Sequence, residues 1–194
     1  RNAQRIFHCA LIYVIVVGGA ASLLMFFGAG FLVEGNSIPV LKIFAPTIFF
    51  FGLLGVLRGY FQAHKTMMQT SVSQIIEQLC NAIVSLSAAY LLMQMVSGSD
   101  ATTKAVYGAI GSAIGTGSGV IAALLFMWMV YNLNRETITK RIIYDRHPVD
   151  SYRKIFKTIV MIVTPFILST FIYNFTTMLD QTIFTKIMIY GKGF

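Results

Sequence analysis

The chain has 194 residues, of which 56% are hydrophobic and only 11% are charged, and its mean hydropathy is +0.73. Soluble globular proteins carry about 25% charged residues, so this composition argues against a soluble enzyme or a nucleic-acid-binding domain. We therefore expect the positions of the basic residues behind the formal net charge of +8 to indicate which loops face the cytoplasm, rather than binding to nucleic acid.

Five apolar stretches are long enough to cross a bilayer as helices, since about 20 residues span about 30 Å of hydrocarbon. In chain order they cover 6–33, 42–58, 70–95, 105–131, and a stretch from 157 past 178. These runs are continuous rather than alternating, which argues against transmembrane strands. We predict an all-α integral membrane protein, a polytopic helical bundle. Cys9 and Cys80 lie in apolar runs and indicate neither a disulfide framework nor a metal site.

Positive charge alternates between the segments that connect these helices. The segment before residue 6, the turn near 62–70 with the adjoining Arg58, and the loop 132–156 with the adjoining Lys157 hold most of the 15 Lys and Arg residues. Cytoplasmic loops are enriched in these residues. We therefore predict a multi-pass protein of the cell membrane, in contact with membrane lipids, with those three segments in the cytoplasm.

The polar segment 132–156 has two interpretations. It contains basic and acidic residues and His147-Pro148, as expected of a linker between two helical bundles. It also fits a cytoplasmic loop with an amphipathic piece resting on anionic headgroups. Composition alone slightly favours the second interpretation.

The fourth apolar stretch contains glycines at every fourth position, namely Gly111, Gly115 and Gly119. A phosphate-binding loop would follow a strand and open a soluble helix, whereas these glycines lie inside an apolar span. Glycines at this spacing share one helix face and allow another helix to approach closely. The pattern predicts a helix-packing face, which is also compatible with a surface on which two helices slide.

Residue sets that would support catalysis are absent from the sequence. His8, His64 and His147 lie near the expected cytoplasmic boundary, and none pairs with an acid at a spacing typical of acyl transfer. Without a paired base and nucleophile, hydrolysis or group transfer is not indicated. We predict no enzyme activity, no cofactor and no metal site.

The third stretch contains a polar stripe with an acid beside it. The acid is Glu77, about 10 Å into a helix that starts near Thr70, and the stripe at i, i+4, i+7 and i+11 comprises Gln74, Gln78, Asn81 and Ser85. A charge at such depth faces a partner or a cavity. The expected partner is Arg58 on the preceding helix. The pair is either a lock between two helices, or Arg58 and the stripe line a hydrated cavity for a polar or anionic headgroup.

The last stretch is more polar than a helix that faces only lipid. Asp180 is expected near the outer helix end, and Pro165 permits a kink. The other polar residues that follow Pro165 include Tyr173, Asn174, Thr176, Thr177 and Gln181.

Two sequence blocks resemble a known family. Leu57-Arg58-Gly59-Tyr60-Phe61-Gln62 and the segment 70–78, Thr-Ser-Val-Ser-Gln-Ile-Ile-Glu-Gln, are similar to a block of the polysaccharide biosynthesis/stage V sporulation protein B-like proteins. These belong to the multidrug/oligosaccharidyl-lipid/polysaccharide (MOP) exporter superfamily, which is MATE-like and includes lipid II flippases. The sequences around Ala105, Tyr152 and Asp180 look similar to the same family. Ala63 and Gln69 depart from the block, where Gly and Pro are usual.

The resemblance implies a fold of twelve to fourteen helices in two lobes that works by alternating access. The chain would then be a segment with the third to seventh helices: 1–131 in the first lobe, 132–156 as the inter-lobe linker, and 157–194 as the first helix of the second lobe. The implied substrate is a lipid-linked saccharide with a pyrophosphate headgroup. The implied cavity residues are Arg58, Gln62, Gln74, Glu77, Gln78 and Asp180, and the polar stripe adds Asn81 as a candidate.

Alternatives within the same fold remain open. A cation-coupled drug exporter would need an apolar, aromatic pocket, and the run Phe49-Phe50-Phe51 is compatible with one. A membrane assembly subunit without transport would explain the glycine face alone. Coupling to an ion or to the membrane potential is also open.

Overall fold

The computed structural model describes residues 2–33, 35–64, 66–136, 138, 140 and 149–190. Its helices are α1 (Asn2–Phe27), the short α2 (Ala29–Leu32), α3 (Ile38–Ala63), α4 (Met67–Met95), α5 (Ala101–Leu133) and α6 (Tyr152–Tyr190), with a 3₁₀ turn at Gly35–Ser37. No β-strand occurs in these ranges.

Five of these helices, all except α2, are long and apolar enough to cross a membrane within the part of the chain that the structure describes. The apolar span of α6 is Tyr152–Gln181. The predicted all-α, polytopic membrane architecture is therefore confirmed. The two-lobe arrangement and the sidedness of the loops stay predictions.

The helix ends differ from the predicted stretches where local chemistry outweighs hydropathy. The first stretch is interrupted after Phe27, because Gly28 precedes α2 and glycine weakens helix continuation. Helix α3 begins before Lys42, with a proline in its first turn, where the missing N–H costs nothing. Helix α6 begins at Tyr152 rather than near Lys157, and Lys154 Nζ lies 2.7 Å from Asp150 Oδ1 across its first turn.

The chain forms two compact units, Arg1–Val149 and Asp150–Phe194. The boundary between them falls inside the predicted segment 132–156, whose role as a linker stays a prediction. Residues 141–148, which include His147, lie outside the described residues.

An aromatic cluster joins three helices of the first unit. The ring centroid of Phe7 on α1 lies 4.7 Å from that of Tyr60 on α3 and 5.5 Å from that of Tyr131 on α5. Leu54, Val120 and other buried side chains extend this core. Burial of these apolar groups holds one end of α1, α3 and α5 together.

Helices α4 and α5 pack backbone against backbone. A Cβ added at Gly119 would lie 2.6 Å from the carbonyl oxygen of Glu77. A Cβ at Gly111 or Gly115 would overlap the backbone of Ala89 or Ser85, respectively. Glycine is therefore needed at all three positions for the two helices to approach this closely.

Candidate functional site

An ion pair links α3 and α4 near their connecting turn. Arg58 Nη2 donates to Glu77 Oε2 at 2.7 Å, and the two side chains are only 12% and 13% exposed. At 1.5 Å per residue, Arg58 lies about 8 Å before the end of α3 and Glu77 about 15 Å after the start of α4. The antiparallel connection places the two helices side by side, and the two long side chains span the remaining difference in depth.

Ser73 extends this pair toward the start of α4. Its hydroxyl accepts a hydrogen bond from Arg58 Nε at 2.8 Å and donates to the carbonyl oxygen of Thr70 at 2.8 Å. Ser73 is fully buried. The guanidinium is therefore oriented by two different groups of α4.

Sequence reasoning missed the role of Ser73, although a signal for it exists. Ser73, Glu77, Asn81 and Ser85 recur at every fourth position of α4. The glycines of α5 have the same spacing. Two helices with matching four-residue rows of small and polar residues pack along those rows.

Only part of the predicted polar stripe of α4 contacts α5. Gln74 and Gln78 are exposed, and neither side chain hydrogen-bonds to another described residue. Asn81 instead lies against α5, where its Oδ1 accepts from Ser85 at 2.7 Å and from Thr116 at 3.4 Å. Asn81 and Ser85 thus face the glycines of α5, and the role of the stripe as a cavity lining stays a prediction.

The remaining predicted residues occupy two places. Gln62 is exposed near the end of α3. Asp180 is exposed on α6 and belongs to the second unit. The structure therefore brings Arg58 and Glu77 together and leaves Gln62, Gln74 and Gln78 accessible. Asp180 belongs to the other unit.

The first turn of α4 retains unused hydrogen-bonding groups. Buried Thr70 Oγ1 and Gln69 Oε1 have no hydrogen-bond partner among the described residues. No side chain caps this helix start, so its first N–H groups also lack intrahelical acceptors. The polar character of the site thus continues one turn beyond Ser73.

The two described histidines make local contacts at helix backbones. Nδ1 of His8 lies 2.7 Å from the carbonyl oxygen of Gln4, and Nδ1 of His64 lies 2.8 Å from that of Tyr60. Neither contact joins a histidine to an acid or a nucleophile.

The arrangement can bind an anion only in competition with Glu77. Nη1 of Arg58 has no hydrogen bond among the described residues, so one edge of the guanidinium retains its donors. The neighbouring carboxylate already compensates the positive charge.

Comparison with known proteins identifies a distant relative. The chain is 24% identical over 156 residues to the lipid II flippase MurJ of Bacillus subtilis (strain 168), an alignment that covers 78% of this chain and 27% of the flippase. The chain thus spans about a quarter of the length of that curated relative. No family model and no solved structure matches the chain.

Proposed function

We propose that this chain is part of a transporter that moves a lipid-linked saccharide across the cytoplasmic membrane by alternating access, and that it is not a catalytic enzyme. The distant similarity to a lipid II flippase supports this proposal. So do the five apolar helices and the resemblance of the Arg58–Gln62 and Thr70–Gln78 blocks. Membership of the narrower polysaccharide-biosynthesis branch of the MOP superfamily is part of the proposal.

The exposed amides of α4 carry the argument. Gln74 and Gln78 lie on a membrane-spanning helix with no described side chain covering them. Hydrocarbon cannot satisfy an amide, so burying one there costs several kcal/mol, on the order of 2–7. This face is therefore proposed to line a hydrated cavity, in which the amides and nearby Gln62 bind sugar hydroxyls.

Arg58 is proposed to contact the phosphate of the same substrate. Its unused Nη1 edge can donate to phosphate oxygens, a strong charge-assisted hydrogen bond. Glu77 lowers the net attraction, which allows release on the other side. Asn81 would support this wall from the α4–α5 interface, and Asp180 of the second unit stays a separate candidate cavity residue.

Replacing the amides tests this role. In the intact natural protein, reconstituted with lipid II, we expect Gln74→Leu with Gln78→Leu to slow flipping at least about tenfold, since two hydrogen bonds of about 1 kcal/mol each are lost. Gln94→Leu is the matched control, because Gln94 lies on the same helix and bonds only to Tyr90 at 2.6 Å. Unchanged flipping in the double variant would show that these two amides do not bind the substrate.

The drug-exporter alternative gains no support from the phenylalanine run. The rings of Phe49 and Phe50 pack on each other with centroids 5.6 Å apart, which favours a packing role over an open aromatic pocket. Coupling of transport to an ion or to the membrane potential remains part of the proposal and is tested by collapsing each gradient during the same flipping assay.

A further inference from the structure

The C-terminal half of α6 has two opposite faces of different chemistry. Its polar face consists of Thr170, Asn174, Thr177 and Gln181, at i, i+4, i+7 and i+11, all exposed. Its apolar face consists of Leu168, Ile172, Phe175 and Leu179, at the same spacing and also exposed. Since a helix turns 100° per residue, the two rows lie on opposite sides.

This amphipathic stretch runs from membrane depth to the far boundary of the hydrocarbon layer, which is about 30 Å thick. Thr170 and Thr177 are about 20 and 30 Å along the helix from Lys157, the last cation of the polar segment. The apolar row suits contact with lipid chains. Polar groups of this row that have no hydrogen-bond partner within the helix need water or a polar ligand, because lipid offers no hydrogen bonds.

The hydrogen bonds of the polar face indicate which ligand fits it. Thr170 donates to the carbonyl oxygen of Phe166 at 2.9 Å, Asn174 Nδ2 to that of Thr170 at 2.9 Å, and Thr177 to that of Tyr173 at 3.0 Å. The hydroxyl donors of Thr170 and Thr177 and one of the two Asn174 Nδ2 donors are used within the helix, whereas the hydroxyl oxygens and the amides of Asn174 and Gln181 retain hydrogen-bonding capacity. A surface of hydroxyl and amide groups with the Asp180 carboxylate beside it repels phosphate and suits a ligand rich in hydroxyl groups, which is a sugar.

The same face becomes apolar toward the N-terminal half of α6. A shallow, open depression of about 540 Å³ on the surface of α6 is bordered by Ile162, Val163 and Phe166 at one end and by Thr170 and Asn174 at the other. One continuous face thus offers an apolar stretch followed by hydrogen-bonding groups. This order fits an amphiphile that has a hydroxylated headgroup.

We propose that this face of α6 binds the saccharide part of the lipid-linked substrate. The inference rests on the proposed function and adds to it a surface with its own specificity. It assigns sugar recognition to Thr170, Asn174, Thr177 and Gln181.

Cysteine labelling tests the assignment. In the intact natural protein carrying Cys9→Ala and Cys80→Ala, reconstituted in liposomes, Asn174→Cys is compared with Ile172→Cys on the opposite face, and Thr177→Cys provides a second position on the polar face. We expect a membrane-impermeant maleimide to label Cys at 174 and 177 at least about tenfold faster than at 172. Lipid II should slow that labelling at least about threefold, and a polyprenyl pyrophosphate without sugar should not.

Two results would overturn the inference. Equal labelling at 172, 174 and 177 would mean that lipid or another helix covers the polar face. Equal protection by the sugar-free lipid would mean that the face does not recognise sugar. The proposed function is tested separately, by measuring in parallel whether the unmodified protein flips lipid II. If it flips lipid II but shows no sugar-specific protection, only the role of α6 is contradicted.

Discussion

Arg58 on α3 and Glu77 on α4 are joined at 2.7 Å, and the same residue 77 presents its backbone carbonyl to Gly119 on α5. One position of α4 thus contacts both neighbouring helices, through its side chain on one side and its backbone on the other. Because both charged groups are largely shielded, each depends on the other for stabilisation. Substitutions at this pair therefore separate a structural role from a role in transport.

Removing one member of the pair is expected to destabilise the protein more than removing both. Glu77→Leu leaves the shielded Arg58 charge uncompensated and should lower the free energy of unfolding by about 3 kcal/mol. Arg58→Leu combined with Glu77→Leu should recover most of that loss, as measured by thermal unfolding in detergent. Flipping should stay at least about tenfold impaired in the double variant, because its phosphate contact is gone. A stable double variant that flips at the normal rate would make Arg58 a structural residue only.

Ser73→Ala tests the second contact of the guanidinium. It removes the acceptor 2.8 Å from Arg58 Nε and should cost about 1.5 kcal/mol, the lower end for a hydrogen bond to a charged group. Ser71→Ala is the matched control, because Ser71 is exposed and bonds only to the carbonyl oxygen of Met67 in its own helix. Similar melting temperatures for the two variants would show that Ser73 does not hold Arg58.

The sequence was sufficient to predict the five apolar helices and the proximity of Arg58 to Glu77, because hydropathy and a short antiparallel turn leave few alternatives. It did not show that Asn81 lies against α5, since a spacing of i, i+4 and i+7 does not identify the row that meets the glycines. The sequence did not identify Ser73, because nothing in it shows that this small hydroxyl lies next to Arg58. Helix ends followed local signals such as Gly28 and the Asp150–Lys154 pair, which hydropathy does not register.

Gly115→Val is expected to disrupt the packing of α4 on α5. A side chain at this position meets the backbone of Ser85, and overpacking of this kind costs about 1–3 kcal/mol or more. Gly55→Ala is the matched control, since nothing lies within 4 Å of an added Cβ at Gly55 and alanine favours the helix. Yield of folded protein in detergent, followed by size-exclusion chromatography, compares the two. Normal folding of Gly115→Val would contradict the close helix approach.

Phe7→Ala is expected to loosen the end of the bundle where α1, α3 and α5 meet. Phe7 is 7% exposed and contacts the rings of Tyr60 and Tyr131, so its truncation should cost about 3 kcal/mol. Phe27→Ala provides the control, because Phe27 lies at the other end of α1 and is 79% exposed. Equal unfolding temperatures in the two variants would argue against the aromatic cluster as a stabilising core.

The most direct measurement of the central claim follows the sugar of lipid II across a liposome bilayer that contains the intact natural protein. The account predicts that the protein accelerates the appearance of the sugar on the opposite leaflet, and that Gln74→Leu with Gln78→Leu removes most of that acceleration while Gln94→Leu preserves it. A rate equal to that of protein-free liposomes would contradict a flippase for this substrate. Export of a lipophilic cation by the same liposomes would then favour the drug-exporter alternative.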